Sequence, residues 1–357
     1  MKRIIFLDGL RGVAILLVLL YHAYSRWYLL VPYGNKFASF PIFKFGYLGV
    51  HLFFLVSGFV ILMSLGRNKN FLQFIYKRWK RLFPAMFISS LIIYSTLSFL
   101  PERPGGGQEL ISVIPGMMFI EPLWIKYLFG FEIKPLEGAF WSLFVEVKFY
   151  FIFGYLYFYL GRLKAVIAIV LMFLFSVLSN LFNIKYLDVI PTMLSFEYFG
   201  FFSSGALAFL YFKSRIKKYL IYSVAIGMLC VFNNGNSLTE MICETLVLSL
   251  FIMPIYFKKL RIVLNMKFLL FLGFISYPLY LIQENAMIAL IIKIHRKFAV
   301  IPDVLLPVIP VVFLCAVSYF IVKILEPYSL KRISDVENVI KNLNLLNSSS
   351  WLSKKKE

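Results

Sequence analysis

The sequence has little charge. Charged residues make up 15% of its 357 residues, whereas apolar and aromatic residues make up 61%. Soluble domains contain about 25% charged and about 45–50% apolar residues, because a larger apolar fraction would have to be exposed to water. The mean hydropathy is +0.83. This composition excludes soluble nuclear, cytosolic and secreted proteins, and it predicts a protein that lies in a lipid bilayer.

Cysteine, histidine and acidic residues are also scarce. The three cysteines, Cys230, Cys243 and Cys315, lie in apolar segments without CxxC spacing, so no disulfide framework or zinc site is predicted. There are three histidines and no HExxH motif, so no metal is implied. The net charge of +20 would suggest nucleic acid in a soluble protein. Here the basic residues lie between apolar segments, which indicates membrane topology and anionic lipids instead, with no nucleic-acid partner.

Long apolar segments dominate the chain. A helix needs about 20 such residues to cross the hydrocarbon layer. Ten segments meet this requirement: 10–30, 47–65, 84–100, 140–160, 164–183, 192–213, 218–234, 241–258, 268–292 and 302–325. The predicted fold is therefore an all-α integral membrane protein with about ten transmembrane helices.

The distribution of lysine and arginine predicts the orientation. With the N-terminus inside, the inner segments hold 18 of these residues before the C-terminal tail, and the outer segments hold 9. The positive-inside rule then places both termini in the cytoplasm. We divide the chain into a transmembrane domain, 1–328, and a basic cytoplasmic tail, 329–357. Segment 101–139 is too long and too apolar for a simple connector, and we expect it to fold over an active site or re-enter the membrane.

Polar side chains inside predicted spans indicate function by default, because burying them in lipid is costly. His22 lies in the first span, eleven residues after Arg11. At about 100° per residue, both side chains lie on one helix face, about 16 Å apart along the axis. Asp8 is expected to cap this helix. Two interpretations of His22 stay open: a histidine packed between helices, or a reactive group.

Glu146 is the second such residue. Ser142, Glu146 and Tyr150 are spaced by four residues and form one helical stripe, whereas Lys148 lies on another face. Glu146 is either a structural partner of an arginine on the first helix or a catalytic group beside His22.

A basic cluster, Lys-Arg-Trp-Lys-Arg at 77–81, precedes the third predicted span. Arg78 and Arg81 lie on one helix face, where paired guanidinium groups can bind phosphate. Two or three positive charges would suffice for topology, but residues 66–83 carry six. The excess favours a soluble anionic substrate on the cytoplasmic side.

Five blocks in order resemble the acyltransferase family three membrane O-acyltransferases, which modify bacterial surface carbohydrates. The first block, Leu-Asp-Gly-Leu-Arg-Gly at 7–12 followed by His22, is similar to the family's signature of arginine, ten residues and histidine. The other blocks lie at 46–59, 78–81, 141–150 and 272–281. The resemblance covers roughly residues 4–330.

The resemblance implies an O-acyltransferase in a bacterial inner membrane, with no permanently bound cofactor. Its donor substrate would be cytoplasmic acyl-CoA, most commonly acetyl-CoA, and its acceptor a lipid-linked or polysaccharide glycan. The implied catalytic residues are His22 and Glu146, and the implied acyl-CoA ligands are Arg11, Arg78 and Arg81. The supporting residues are Asp8, Ser57, Trp141, Ser142 and Tyr150.

Two positions depart from the family pattern. His51 replaces the usual aspartate and is expected to face water, and Gln283 replaces a frequent histidine, so neither is expected to carry essential chemistry. His22 could act as a general base or carry the acyl group itself, and Ser57 or Ser142 could supply an oxyanion donor. The rival functions are a glycan or lipid transporter and a succinyl-transferring enzyme of the same family.

Overall fold

A computed structural model describes residues 4–106, 108–182 and 185–338 of the chain, without the side chains of 185–188. Over these residues the secondary structure is helical and contains no strand, which confirms the all-α prediction. The helices are α1 Ile5–Tyr21, α2 Pro41–Lys44, α3 Gly49–Leu65, α4 Phe71–Ser95, α5 Val113–Met118, α6 Pro122–Phe129, α7 Trp141–Leu160, α8 Arg162–Phe182, α9 Lys185–Leu194, α10 Phe199–Ser214, α11 Lys217–Asn234, α12 Leu238–Tyr256, α13 Arg261–Leu264, α14 Lys267–Lys297 and α15 Val308–Phe320.

Seven helical segments in the described part of the chain are long and apolar enough to cross a membrane. They are Ile5–Arg26, Gly46–Leu65, Gly138–Leu160, Arg162–Phe182, Leu238–Tyr256, Lys267–Lys297 and Val308–Asn338. The other three predicted spans overlap α4, α10 and α11. The basic cluster lowers the hydropathy of α4, and α10 has only 16 residues. The protein is therefore a multi-helix membrane protein, and the total of ten spans and the placement of the termini stay predictions.

Local sequence signals explain several helix ends. Asn70 caps α4 by accepting a hydrogen bond from the Gln73 N–H group at 2.9 Å. Ser237 caps α12 in the same way through the Glu240 N–H group. The predicted cap of α1 is wrong, because the helix begins at Ile5 and Asp8 lies within its first turn. In that position its carboxylate still interacts favourably with the positive end of the helix dipole.

Glycine allows the central helices to touch through their backbones. A Cβ atom at Gly12 of α1 would lie 2.0 Å from the Leu269 carbonyl oxygen of α14. A Cβ atom at Gly58 of α3 would lie 2.0 Å from the Phe202 carbonyl oxygen of α10. Real side chains never approach so closely, so only glycine permits these contacts. They fix α1 against α14, and α3 against α10, which positions the residues described below.

Segment 101–139 contains α5 and α6, which meet at a bend of 106°. Together they form either a broken span or a re-entrant loop. Asn285 of α14 accepts a hydrogen bond from the Gly105 N–H group at 3.3 Å. The segment is therefore joined to α14, two residues beyond Gln283.

The domain boundary predicted at 328 falls inside the helical segment Val308–Asn338. Glu337 accepts hydrogen bonds from Tyr76 and from Lys80, the latter at 2.7 Å. The first residues of the predicted tail thus contact α4. Residues 339–357, with the lysine-rich end of the tail, lie outside the described residues.

Candidate active site

His22 begins a five-residue π-helical turn, His22–Arg26, that follows α1. Such turns are rare and occur often at functional sites. His22 is buried, and its Nδ1 lies 3.0 Å from Oε1 and 2.7 Å from Nε2 of the Gln283 amide. An amide in this position can accept from a protonated Nδ1 or donate to an unprotonated one. Gln283 therefore orients the imidazole ring and leaves Nε2 for other chemistry.

Glu284 is the carboxylate beside His22. Its Oε1 lies 3.9 Å from His22 Nε2, which is too long for a hydrogen bond but close enough for strong electrostatic interaction. Its Oε2 accepts a hydrogen bond from the Ala139 N–H group at 2.7 Å. The negative charge of Glu284 would stabilise a protonated His22.

Glu146, which was predicted either to pair with an arginine on the first helix or to act beside His22, contacts two hydroxyl groups. Its Oε1 accepts hydrogen bonds from Ser57 and Tyr150, each at 2.5 Å. Glu146 lies about 10 Å along the helix axis from Ala139, which holds Glu284. Glu284 is thus the acid next to His22, whereas Glu146 lines a cavity together with Arg11, which favours the interpretation of Glu146 as a partner of an arginine on the first helix.

Glu146 lines a polar cavity of about 190 Å³ between α1, α3, α4, α7 and α14. Arg11, Arg81 and Glu326 line the same cavity. Two of the three arginines predicted to bind acyl-CoA therefore meet here, at the predicted cytoplasmic end. The cavity is smaller than the about 300–1,000 Å³ of pockets that enclose a whole ligand, so it can accept only a slender part of one.

The cavity reaches towards His22 through hydroxyl groups. Ser142 and Tyr280 also line it, and their oxygens lie 2.7 Å apart. Tyr280 donates a hydrogen bond to the Ala139 carbonyl oxygen at 3.0 Å. The N–H group of the same Ala139 holds Glu284. Ala139 thus connects Glu284, the acid beside His22, to the end of the polar cavity that lies away from Arg11 and Arg81.

Arg78 lies in a different cavity from the other two arginines, although its charge still interacts with those of Arg81 and Glu146. It lines a neighbouring apolar cavity of about 540 Å³. Its guanidinium carbon lies 5.6 and 5.7 Å from the ring centres of Phe74 and Tyr150, and Tyr150 lines both cavities. Lys148, on the same apolar cavity, pairs with Glu121 at 2.5 Å. Arg78 thus packs behind Tyr150, outside the cavity that holds Arg11 and Arg81.

Three predicted supporting residues have structural contacts. Ser57 gives its hydroxyl proton to Glu146. Trp141 is 38% exposed and packs against the rings of Phe54 and Tyr198. The backbone carbonyl oxygen of Asp8 lies so close to Gly273 of α14 that a Cβ atom on that glycine would be only 1.9 Å from it.

The two positions that depart from the family pattern are both buried and paired. Gln283 is the direct hydrogen-bond partner of His22. His51 was expected to face water. It is instead buried, and its Nδ1 lies 2.7 Å from Oε1 of Glu244. The acid on the neighbouring helix α12 explains this burial, because it offers the imidazole a partner. In both cases the departing residue forms a polar contact between helices.

A second buried cluster adjoins Glu284. Arg103 and Glu137 form an ion pair at 3.1 Å, and Asn285 donates to Glu137 at 2.6 Å. Burial, together with the charge of Glu284, raises the pKa of Glu137 to about 8, although Arg103 opposes the shift. The sequence did not single out Glu284 and Asn285, and Gln283 was expected to carry no essential chemistry. The available signal was an acid and two amides inside the ninth predicted span.

The molecule is thus a helical membrane protein in which a polar cavity leads towards a buried histidine. A family model described as an acyltransferase domain matches residues 4–325. The chain therefore belongs to this acyltransferase family, as the five sequence blocks predicted. The match includes every predicted site residue.

Two curated relatives show the same similarity. The O-acetyltransferase OatA of Staphylococcus aureus strain NCTC 8325 is 30% identical over 186 residues, which cover 48% of this chain and 28% of the relative. OatA of strain MRSA252 gives the same values. The match thus spans less than a third of the length of these relatives. No solved structure matches the chain.

Proposed function

We propose that the protein is a membrane O-acetyltransferase. It takes an acetyl group from acetyl-CoA at the cytoplasmic face and transfers it to a hydroxyl of a surface or exported glycan. The family supports the reaction class, and the names of the relatives support acetyl as the group transferred. We place the enzyme in a bacterial inner membrane.

The observation that carries this proposal is that two groups of polar side chains lie on either side of Ala139. At one end, Arg11 and Arg81 line a narrow cavity. At the other, Glu284 faces His22. Guanidinium groups suit the phosphates of coenzyme A, and the narrow cavity suits its pantetheine arm. The thioester would then lie near Ser142 and Tyr280, on the side of the cavity towards His22.

The reaction needs one base and one place for negative charge. The acceptor hydroxyl attacks the thioester carbonyl carbon, its proton passes to His22 Nε2, and the new ester C–O bond forms. The C–S bond breaks, and the coenzyme A thiolate takes the proton back from His22. Gln283 holds the ring, and Glu284 stabilises the imidazolium that forms between these steps. The Ser142 hydroxyl, which can rotate away from Tyr280, would donate to the carbonyl oxygen, while Tyr280 keeps its hydrogen bond to the Ala139 carbonyl oxygen.

The test uses purified protein in lipid nanodiscs with radiolabelled acetyl-CoA and an oligosaccharide acceptor. We expect free coenzyme A and labelled oligosaccharide to appear in equal amounts. A protein that never releases coenzyme A with any acceptor would instead support the transporter. Faster transfer from succinyl-CoA than from acetyl-CoA would identify the succinyl-transferring alternative.

The proposed orientation has its own test. Single cysteines at Lys36 and Lys213 should react with a membrane-impermeant maleimide from opposite sides of the membrane. We expect Lys36→Cys to react in intact cells and Lys213→Cys to react only after lysis. The reverse pattern would place the polar cavity with Arg11 and Arg81 at the outer side of the membrane, which would contradict a cytoplasmic donor.

A further inference from the structure

A third cavity, wide open at the surface, lies beside the π-helical turn at the predicted outer side. Its volume is about 460 Å³, which lies within the range of ligand pockets. Its walls come from Tyr21 and the π-helical turn, from the segment before α3, and from the start of α12. The mechanism above assigns no role to these residues.

The floor of this outer cavity is aromatic and polar. Tyr21 and Tyr47 line it with ring centres 5.4 Å apart, at an angle of 64°. Tyr47 donates a hydrogen bond to Glu240, which also accepts from the Asn236 N–H group at 3.1 Å. Glu240 is only 8% exposed. Rings beside fixed hydroxyl and carboxylate groups provide both apolar contact and hydrogen bonds, which a sugar ring requires.

Two cations line the outer cavity. Arg26 contacts the Trp27 ring at 5.2 Å and lies close enough to Tyr21 for electrostatic interaction. Lys44 contacts the Phe45 ring at 5.3 Å. By contrast, Lys36, on the predicted outer side but outside this cavity, lies 3.1 Å from Asp303. Among the described residues, Arg26 and Lys44 outnumber the single acid of the lining, Glu240, so the cavity offers net positive charge to an anionic ligand.

The outer cavity is also linked to the reactive histidine. Tyr21 and His22 are adjacent, with ring centres 5.2 Å apart. Arg26 is close enough to His22, and Glu284 close enough to Tyr21, for electrostatic interaction. A ligand held by Arg26 would therefore have its remaining atoms near the histidine.

We propose that this outer cavity binds the acceptor, and that the acceptor is a sugar that carries an anionic group. The aromatic floor holds the ring, and Arg26 and Lys44 bind the carboxylate or phosphate. This inference rests on the proposed acetyl transfer and adds the class of acceptor.

The test compares two acceptors of equal length in the nanodisc assay: a hyaluronan tetrasaccharide, which carries carboxylates, and chitotetraose, which does not. We expect a KM at least about tenfold lower for the hyaluronan probe, which corresponds to about 1.4 kcal/mol. Lys44→Gln should remove most of this preference and leave the KM for acetyl-CoA unchanged. Arg26→Gln should also remove most of it. Lys36→Gln, with the same charge change outside the cavity, is the matched control and should behave like the unmodified protein.

The outcomes separate this inference from the proposed function. Equal KM values for the two acceptors, or equal losses in Lys44→Gln and Lys36→Gln, would overturn the acidic-sugar site while leaving acetyl transfer intact. Binding of phosphatidylglycerol that depends on Lys44, with unchanged acceptor preference, would assign the cavity to a lipid headgroup and also overturn it. No transfer to either acceptor, together with no coenzyme A release, would reject the proposed function itself.

Discussion

Two acids, the buried Glu284 and the half-buried Glu146, are held in different ways. Glu284 accepts from a backbone N–H group and faces an imidazole. Glu146 accepts from two hydroxyl groups in a cavity that arginines also line. The charge of Glu284 therefore acts on a group that gains and loses a proton. The charge of Glu146 acts on groups that stay cationic.

This difference suggests that the molecule separates two tasks. In the proposed mechanism, proton transfer belongs to the His22 end and recognition of the anionic donor belongs to the arginine end. Variants at the two ends should then change different kinetic constants, because loss of a transition-state contact lowers kcat while loss of a binding contact raises KM.

His22→Ala should have the largest effect. Removing a general base lowers the rate by about 10²–10⁴-fold, and a histidine that carries the acyl group would lose nearly all activity. We expect acetyl-CoA binding to be retained, measured by isothermal titration in nanodiscs. An acylated histidine trapped without acceptor, found by mass spectrometry of the unmodified protein, would indicate the covalent route. Full turnover in His22→Ala would reject this mechanism.

Arg81→Ala tests the other end. Loss of one charge-assisted contact costs about 1.5–3 kcal/mol, so the KM for acetyl-CoA should rise by roughly 10–150-fold. Arg78→Ala should act mainly on the melting temperature, because its side chain packs against Phe74 and Tyr150. The exposed Lys77→Ala on the same helix is the control. Equal KM effects of Arg78→Ala and Arg81→Ala would show that both bind the donor.

Glu284→Gln and Glu146→Gln compare the two acids directly. At 3.9 Å, two charges interact by about 4 kcal/mol at an effective dielectric constant of about 20. With half of that charge developed in the transition state, kcat of Glu284→Gln should fall by about 30-fold. The KM for acetyl-CoA should not change. Glu146→Gln should change that KM, or the melting temperature, more than kcat. The opposite result would restore Glu146 as the acid that supports His22.

The smallest expected effect concerns Glu137 and the pH dependence of stability. Its pKa is raised to about 8 in the folded protein from an ordinary value of 4.5. Between these values the folded state binds more protons than the unfolded state, so stability should fall as the pH rises through this window. Thermal unfolding in nanodiscs at several pH values measures the slope. Glu137→Gln should reduce this dependence of stability on pH. The same slope in the variant and in the unmodified protein would mean that Arg103 keeps Glu137 ionised over the whole pH range.

Local periodicity predicted part of this arrangement. Ser142, Glu146 and Tyr150 all line the polar cavity, as their four-residue spacing requires. The Gln283–His22 contact joins residues 261 positions apart and depends on how α14 packs against α1. No helical period contains that information. For the same reason, the spacing of Arg78 and Arg81 could not show that Tyr150 lies between Arg78 and the polar cavity.

The backbone contacts at Gly12 and Gly58 have a mechanical consequence. Helices that touch through their backbones have no flexible side chains between them that could absorb a sliding or rocking motion. A Cβ atom at Gly49 of α3 would likewise lie 2.4 Å from the Ala14 carbonyl oxygen of α1, so the walls of the polar cavity on α1, α3 and α14 should move as one rigid body. A carrier that alternates between inward-open and outward-open states needs such walls to separate. A rigid frame instead favours passage of the small acyl group through a fixed interior, while donor and acceptor stay on opposite sides.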